Sequence, residues 1–252
     1  MSVPTMKYGI PLVELGIPAY TPANMINKAG TAYCERIQKE NILIKKKMLD
    51  IRIEDDASSL FSLRDIGSPL IFEHSFFEGD NFMVREAVAK KILRINQALK
   101  TQRKTLVIRS AWRSFTHQKE LRELRHERLA HLHPEKSAVE IASIISHFIP
   151  TEKHSMHTTG GAVDALIYDD KEKSVLDFGT NSGFKINLSD KCYPLHPSIS
   201  MEAKKNRKLL MQLFEQEGFV ADTKEFWHFD FGNVAWAAAK NLNKAKYGLI
   251  FT

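Results

Sequence analysis

A carboxylate set at the mouth of an apolar run constrains this chain more than any other feature. In Ser155–Asp164, SMHTTGGAVD, the aspartate stands directly before the apolar residues 165–167, ALI. Burying a charge there is costly unless a partner is brought to it, so the fold must supply one. His157 lies seven residues back, across Gly160 and Gly161. On a straight strand that spacing puts the two side chains on opposite faces. A glycine turn removes the objection, because His157 need not lie on the strand that opens near Asp164. A second imidazole comes from Glu225–Asp230, EFWHFD, whose aromatic density reads as a central strand carrying His228.

Two imidazoles and one carboxylate are good ligands for Zn²⁺. Three such donors with one position open is the catalytic arrangement, whereas a structural zinc fills all four positions, often with thiolates. The chain has only two cysteines, Cys34 and Cys192, and no CxxC. The reading is that His157, Asp164 and His228 hold one Zn²⁺ per chain. Glu225, at the turn entering its strand, takes a proton from a water and passes it on. The bland alternatives are a self-satisfied polar network for His157 and Asp164, and an ion pair with Lys224 for Glu225. Arg113, in SAWRS just past the apolar LVIR, is suited to stabilise an oxyanion or to clamp a substrate carboxylate. Its bland alternative is an ion pair with Asp164 or Glu225. His154 reads as a surface or supporting residue, Trp227 as packing, and Cys192 lacks a base that would make it a nucleophile. His131 and His133 read as solvent-facing.

With 252 residues and 43% hydrophobic content, the chain can bury one sizeable core. We expect one domain over residues 1–252, with residues 1–33 as an extended, proline-punctuated arm. The net charge of +6 is spread among mixed signs, and nothing resembles a recognition helix or a basic-aromatic strand pair, so nucleic acid is not an expected partner. No apolar run reaches membrane-spanning length, and no secretory leader is evident, which makes cytoplasm the expected compartment.

Along the chain, Ile42–Ile44 and Met48–Ile53 read as strands around a basic turn. The spacing of Val84, Ala87, Val88, Ile92, Ile95 and Leu99 predicts a helix over residues 81–100. LVIR is a short strand, and a helix starts near Ser114. Ser137 and Glu140 form a capping box for the next helix, with Ile141, Ile144, Ile145 and Phe148 as its stripe. ALIY and VLDF read as two strands around DDKEK, and a long helix runs from about Ile199 to Glu217, closed by Gly218. This order gives an α+β domain, a small antiparallel sheet packed by helices, rather than a doubly wound sheet.

At these residues the chain resembles the zinc D-Ala-D-Ala dipeptidase and carboxypeptidase family. The pattern S-x-H-x-x-G-x-A-x-D is complete as Ser155, His157, Gly160, Ala162 and Asp164, and E-x-W-H follows as Glu225, Trp227 and His228. Ala111, Trp112, Arg113 and Ser114 stand where the family carries its arginine element, with Gln118 in a family-like place. The resemblance implies a zinc D,D-peptidase (hedgehog/DD-peptidase-like) fold. It implies zinc on His157, Asp164 and His228, Glu225 as base and acid, and Arg113 at the reacting centre. Tyr20, in YTPAN, and Ser155 become candidate substrate contacts. The implied substrates are a small D-amino-acid dipeptide or a peptidoglycan stem peptide. Two departures stand out. Ser110 replaces the aspartate that dipeptidase members carry, which leans toward the carboxypeptidase form. The loop GTNSGF lacks the carboxylate that holds a substrate amino group, leaving Asp177 as a possible substitute. A metal-containing binding protein without efficient hydrolysis is the reading from another class.

Overall fold

Residues 104–110, KTLVIRS, and 162–169, AVDALIYD, are buried almost end to end, because each forms an interior strand of one sheet. The computed structural model describes residues 31–73, 82–183, 185–186 and 190–251, so Tyr20 and most of the expected arm lie outside the described residues. Among the described residues the α-helices are α1 (Thr31–Met48), α2 (Glu86–Lys100), α3 (Phe115–Leu132), α4 (Ala138–Phe148), α5 (Met201–Gln216) and α6 (Val234–Ala239). The strands are β1 (Arg52–Ile53), β2 (Leu60–Ser62), β3 (Ile71–Phe72), β4 (Met83–Arg85), β5 (Lys104–Ser110) and β6 (Ala162–Asp169). The rest are β7 (Ser174–Val175), β8 (Asn181–Ser182), β9 (Lys185–Ile186), β10 (Val220–Ala221), β11 (His228–Asp230) and β12 (Lys244–Ala245).

The main sheet runs β10-β11-β6-β5-β3, with β7 paired to β6. Every pairing in it is antiparallel except β3 with β5. The α+β expectation therefore holds, with a parallel edge added. Val88, Ile92, Ile95 and Leu99 of α2 are buried in one core with Leu106 and Ile108 of β5 and with Ala165 and Ile167, which share their sheet face. From α5, Phe214 stacks on Phe229 of β11 with ring centroids 3.9 Å apart. This fixes the strand that carries His228 from behind, and aromatic pairs of this kind contribute about 1 kcal/mol beyond their burial. The helical pair α3 and α4 has its own small core of Leu129, Ile141, Ile145 and Ile149.

The helix predicted over 81–100 is found as α2 from Glu86 onward, whereas Met83–Arg85, Val84 included, form β4 instead. Ser114 caps α3 by accepting the backbone N–H of His117. The capping box at Ser137 and Glu140 is present in both directions. Gly218 closes α5 with a left-handed φ of 84°. One stretch is corrected. Residues 42–48 belong to α1 rather than to a strand, and only Arg52–Ile53 is extended beyond it. Ile37, Asn41, Ile44 and Met48 are the covered positions, while Ile42 and Leu43 are exposed. That spacing is helical, and reading the apolar cluster as continuous concealed it. Thr31–Tyr33 likewise begin α1 instead of ending an arm. Of VLDF, only Val175 pairs as a strand.

Candidate metal centre

Antiparallel pairing places His228 of β11 directly opposite Asp164 of β6. Opposed residues share a face with their Cβ atoms about 5 Å apart, so imidazole and carboxylate meet without special geometry. His157 reaches them from a tight 3₁₀ turn, Met156–Thr159, which Gly160 ends at φ 71°. The next glycine lies against β11's exit: a Cβ on Gly161 would stand 2.4 Å from the Phe231 carbonyl oxygen. The glycine pair thus does what its place in the sequence suggested, folding His157 back onto the strand that Asp164 enters.

His157 Nδ1 lies 2.7 Å from the Ala111 carbonyl oxygen, so that nitrogen carries the proton and Nε2 is left bare. Nε2 then stands 3.4 Å from Asp164 Oδ1. On His228, Nδ1 lies 3.0 Å from the same oxygen, while Nε2 faces Asp230 Oδ1 at 3.2 Å. Donor atoms of the three residues lie within 4.8 Å of one another, and all three residues are buried. Metal–ligand bonds of about 2.05 Å in tetrahedral array separate the donors by about 3.3 Å. The separations of 3.0 and 3.4 Å and the N/N/O donor set fit that ion.

Arg113 is gathered into the same cluster. Its Nη2 is 3.3 Å from Asp164 Oδ2, its Nη1 donates to Gln118 Oε1 at 3.2 Å, and its Nε donates to Ser110 Oγ at 2.9 Å. The ion pair with Asp164 is therefore formed. Ser110 serves as the acceptor for Nε. Burial alone would raise the Asp164 carboxyl, but His157 and then His228 hold it well below the usual carboxylate range. Burial and the neighbouring Arg113 charge depress His157. For His228, burial opposes the charged ring, but Asp230 and Asp164 outweigh it and raise the imidazole well above its ordinary value.

Glu225 sits in the turn before β11, whose backbone is organised by Asp222 accepting the N–H groups of Lys224 and Glu225. Burial, then the negative charges of Asp222 and Asp164, push its carboxyl up to about 7 against the pull of His228. Arg125 on α3 feels the Glu225 charge, and its Nε and Nη1 are buried with no hydrogen-bond partner among the described residues. Ser155 is buried at the start of the His157 turn. His154 is bonded to Thr151 at 2.7 Å, outside the cluster. His133 pairs with Glu135. Trp227 packs edge-on against Phe226, as expected of a wall residue. Asp177 is exposed and accepts the N–H of Gly179 in its own turn. Asn181 of GTNSGF accepts from Phe178 and donates to the Leu176 and Gly183 carbonyls.

Asp230 went unnoticed in the sequence, although its place two residues after His228 puts it on the same strand face. Arg207 was missed as well. It is fully buried, donates to the carbonyls of Phe178, Lys191, Tyr193 and Pro194, and lies 3.9 Å from the Phe226 ring centre. It ties the 178–194 loop to the segment bearing Glu225, but no local pattern around it in the sequence announces this.

A buried three-donor cluster with one carboxylate beside it, on a small mostly antiparallel sheet, is the centre of a metallopeptidase-type domain. The chain belongs to the D-Ala-D-Ala dipeptidase family, peptidase family M15, whose model matches residues 72–246. An 81-residue stretch is 35% identical to the D-alanyl-D-alanine dipeptidase of Escherichia coli (strain K12). That match spans 32% of this chain and 40% of the relative's length. Solved structures that align with low TM-scores include a variant of the vancomycin-resistance D,D-pentapeptidase VanY in complex with Zn(II). It is 12% identical, with 73% of this chain and 83% of that one covered at a TM-score of 0.43. The LD-carboxypeptidase LdcB is 16% identical, with 75% and 77% covered at a TM-score of 0.41.

Proposed function

We propose that this chain is a zinc-dependent D,D-peptidase that hydrolyses the D-alanyl-D-alanine bond, with the free dipeptide as its first substrate. The observation that carries the reading is the convergence of His157 Nε2, Asp164 Oδ1 and His228 Nδ1, with the other nitrogen of each ring already engaged. A Zn²⁺ held there supplies Lewis acidity, polarising a carbonyl and acidifying a water. Glu225 moves the proton: it accepts one from the attacking water and returns it to the departing amine. Its pKa of about 7 belongs to the metal-free chain; a nearby dication lowers it and favours the ionised base. Arg113, oriented by Ser110 and Gln118, offers its guanidinium to the negative charge that develops on the carbonyl oxygen. Tyr20 and Ser155 remain the proposed substrate contacts.

A second reading, carboxypeptidase action on longer peptidoglycan stem peptides, draws on one observation. The amides and carboxylate of residues 177–183 are spent on their own loop, and Asp177 is turned to solvent. A free substrate ammonium buried there without a counter-charge would be costly. The deciding experiment compares D-alanine release from free D-Ala-D-Ala and from an amino-blocked longer peptide with added zinc. Preference for the free dipeptide supports the first reading, and preference for the blocked peptide supports the second. Glu225→Gln should lower turnover by a factor of about 10² to 10⁴ while zinc content stays near one per chain. No release from any D,D-peptide by zinc-loaded protein would refute hydrolysis altogether.

A further inference from the structure

We propose that Asp230 is a positioning residue for the metal centre: through His228 Nε2 it makes Nδ1 the ligating atom and strengthens metal binding. The inference rests on the metal-site reading above and extends it to residues outside the donor set. Asp230 is buried on the same strand face as His228, and its Oδ1 lies 3.2 Å from Nε2. Its backbone is paired on both sides, with Ala162 of β6 and Val220 of β10, so the strand cannot easily turn the carboxylate away. The Asn233 Nδ2 donates to the same Oδ1 at 2.7 Å, while Asn233 Oδ1 caps α6 by accepting the Trp236 N–H at 3.0 Å. The chain of contacts runs from ligand ring to carboxylate to carboxamide to helix start, and each group has a partner on either side.

A carboxylate that accepts Nε2–H from a neutral ring places the ring's lone pair on Nδ1, which is the atom aimed at Asp164. It also raises the basicity of that lone pair, and removing such partners typically weakens metal affinity tenfold to a hundredfold. His157 has a main-chain acceptor in the matching role, the Ala111 carbonyl, which no side-chain substitution removes. Asp230 is thus the mutable half of the support.

The experiment measures zinc affinity by chelator competition for wild type, Asp230→Asn and Asp230→Ala, and records histidine ¹H–¹⁵N long-range spectra of the zinc-loaded wild type. The expected result is a tenfold to hundredfold loss of affinity in both variants, with a wild-type His228 protonated at Nε2 and metal-shifted at Nδ1. A purely structural role would lower thermal stability without moving affinity. Affinities within twofold of wild type, or a His228 proton on Nδ1, would overturn the proposal. If the alanine variant does not fold, the near-isosteric asparagine variant and the wild-type spectrum still decide. A wild type that takes up no zinc sinks the metal-centre reading itself, an outcome separate from variants that bind as tightly as wild type.

Discussion

Removing the Glu225 charge from the metal-free protein should stabilise it, and only above a definable pH. The carboxyl is raised from 4.5 to about 7, chiefly by burial and secondly by Asp222. The folded state therefore holds this proton more tightly than the unfolded chain does. The favourable contribution of the protonated group is complete below about pH 4.5 and is lost as pH rises through 7, where ionisation in the folded state becomes a net cost. At about 1.36 kcal/mol per pH unit the full effect is about 3 to 4 kcal/mol, and partial exposure of the side chain trims it to about 2 kcal/mol. Glu225→Gln keeps the shape and removes the ionisation. In chelator-treated protein its Tm should exceed wild type by about 4–8 °C at pH 8.5, given the usual conversion for a chain of this size. At pH 4.5 the two should melt together. Scanning calorimetry of both proteins across this range is the assay. An equal Tm difference at the two ends, or a variant less stable than wild type at pH 8.5, would show that Glu225 is not carrying an unfavourable buried charge. The inferred site electrostatics would then be wrong.

Other consequences follow from the packing and the cluster. Gly161→Ala should lower stability by about 3 kcal/mol or abolish soluble expression, because its Cβ would meet the Phe231 carbonyl oxygen at 2.4 Å and the Tyr247 ring at 2.9 Å; thermal melting reads it, and a native Tm would refute the clash. Arg113→Lys should reduce kcat by about 10²-fold with zinc content unchanged, since an ammonium cannot serve Ser110, Gln118 and Asp164 from one planar fork. Steady-state kinetics with metal analysis checks this, and a drop in bound zinc instead would make Arg113 a support for Asp164 rather than a participant in the reaction.

The convergence of His157, Asp164 and His228 was legible because its constraint is local. A carboxylate before ALI needs a partner, a glycine pair permits a reversal, and an aromatic run carrying one histidine reads as an interior strand. Helices α2, α4 and α5 were legible for a similar reason, since apolar spacing lies within each segment and the capping signals of α4 and α5 lie at their ends. What escaped depends on contacts across the fold. The Ala111 carbonyl selects the His157 tautomer from 46 residues away, and Arg207 reaches the loop up to 29 residues before it. The α1 stretch failed for another reason. NILI looks like a strand when apolar residues are counted in a row, and only burial of positions 37, 41, 44 and 48 reveals the helical period. Asp230 lay between these cases: its spacing from His228 was visible, but its meaning depends on knowing which ring nitrogen faces inward.

One irregularity explains how two arginines share the neighbourhood of a single aspartate. In the β5–β6 pairing Ile108 faces Ala165 and Ser110 faces Asp164, with the register shifting between them. Arg109 is the extra residue of that bulge. In uninterrupted register it would itself stand opposite Asp164. The bulge instead sends Arg109 to Glu73, where Nε lies 2.5 Å and Nη2 3.1 Å from the carboxylate oxygens, and leaves a small hydroxyl at the contested place. Ser110 then has room to accept from Arg113, whose guanidinium arrives from beyond the strand end with its outer nitrogens free for Asp164 and Gln118. A guanidinium fixed at the strand itself would lie alongside Asp164 as a structural pair. Arg113, arriving from beyond the strand end, instead meets Asp164 through one outer nitrogen at 3.3 Å, which suits the charge-stabilising role proposed for it above.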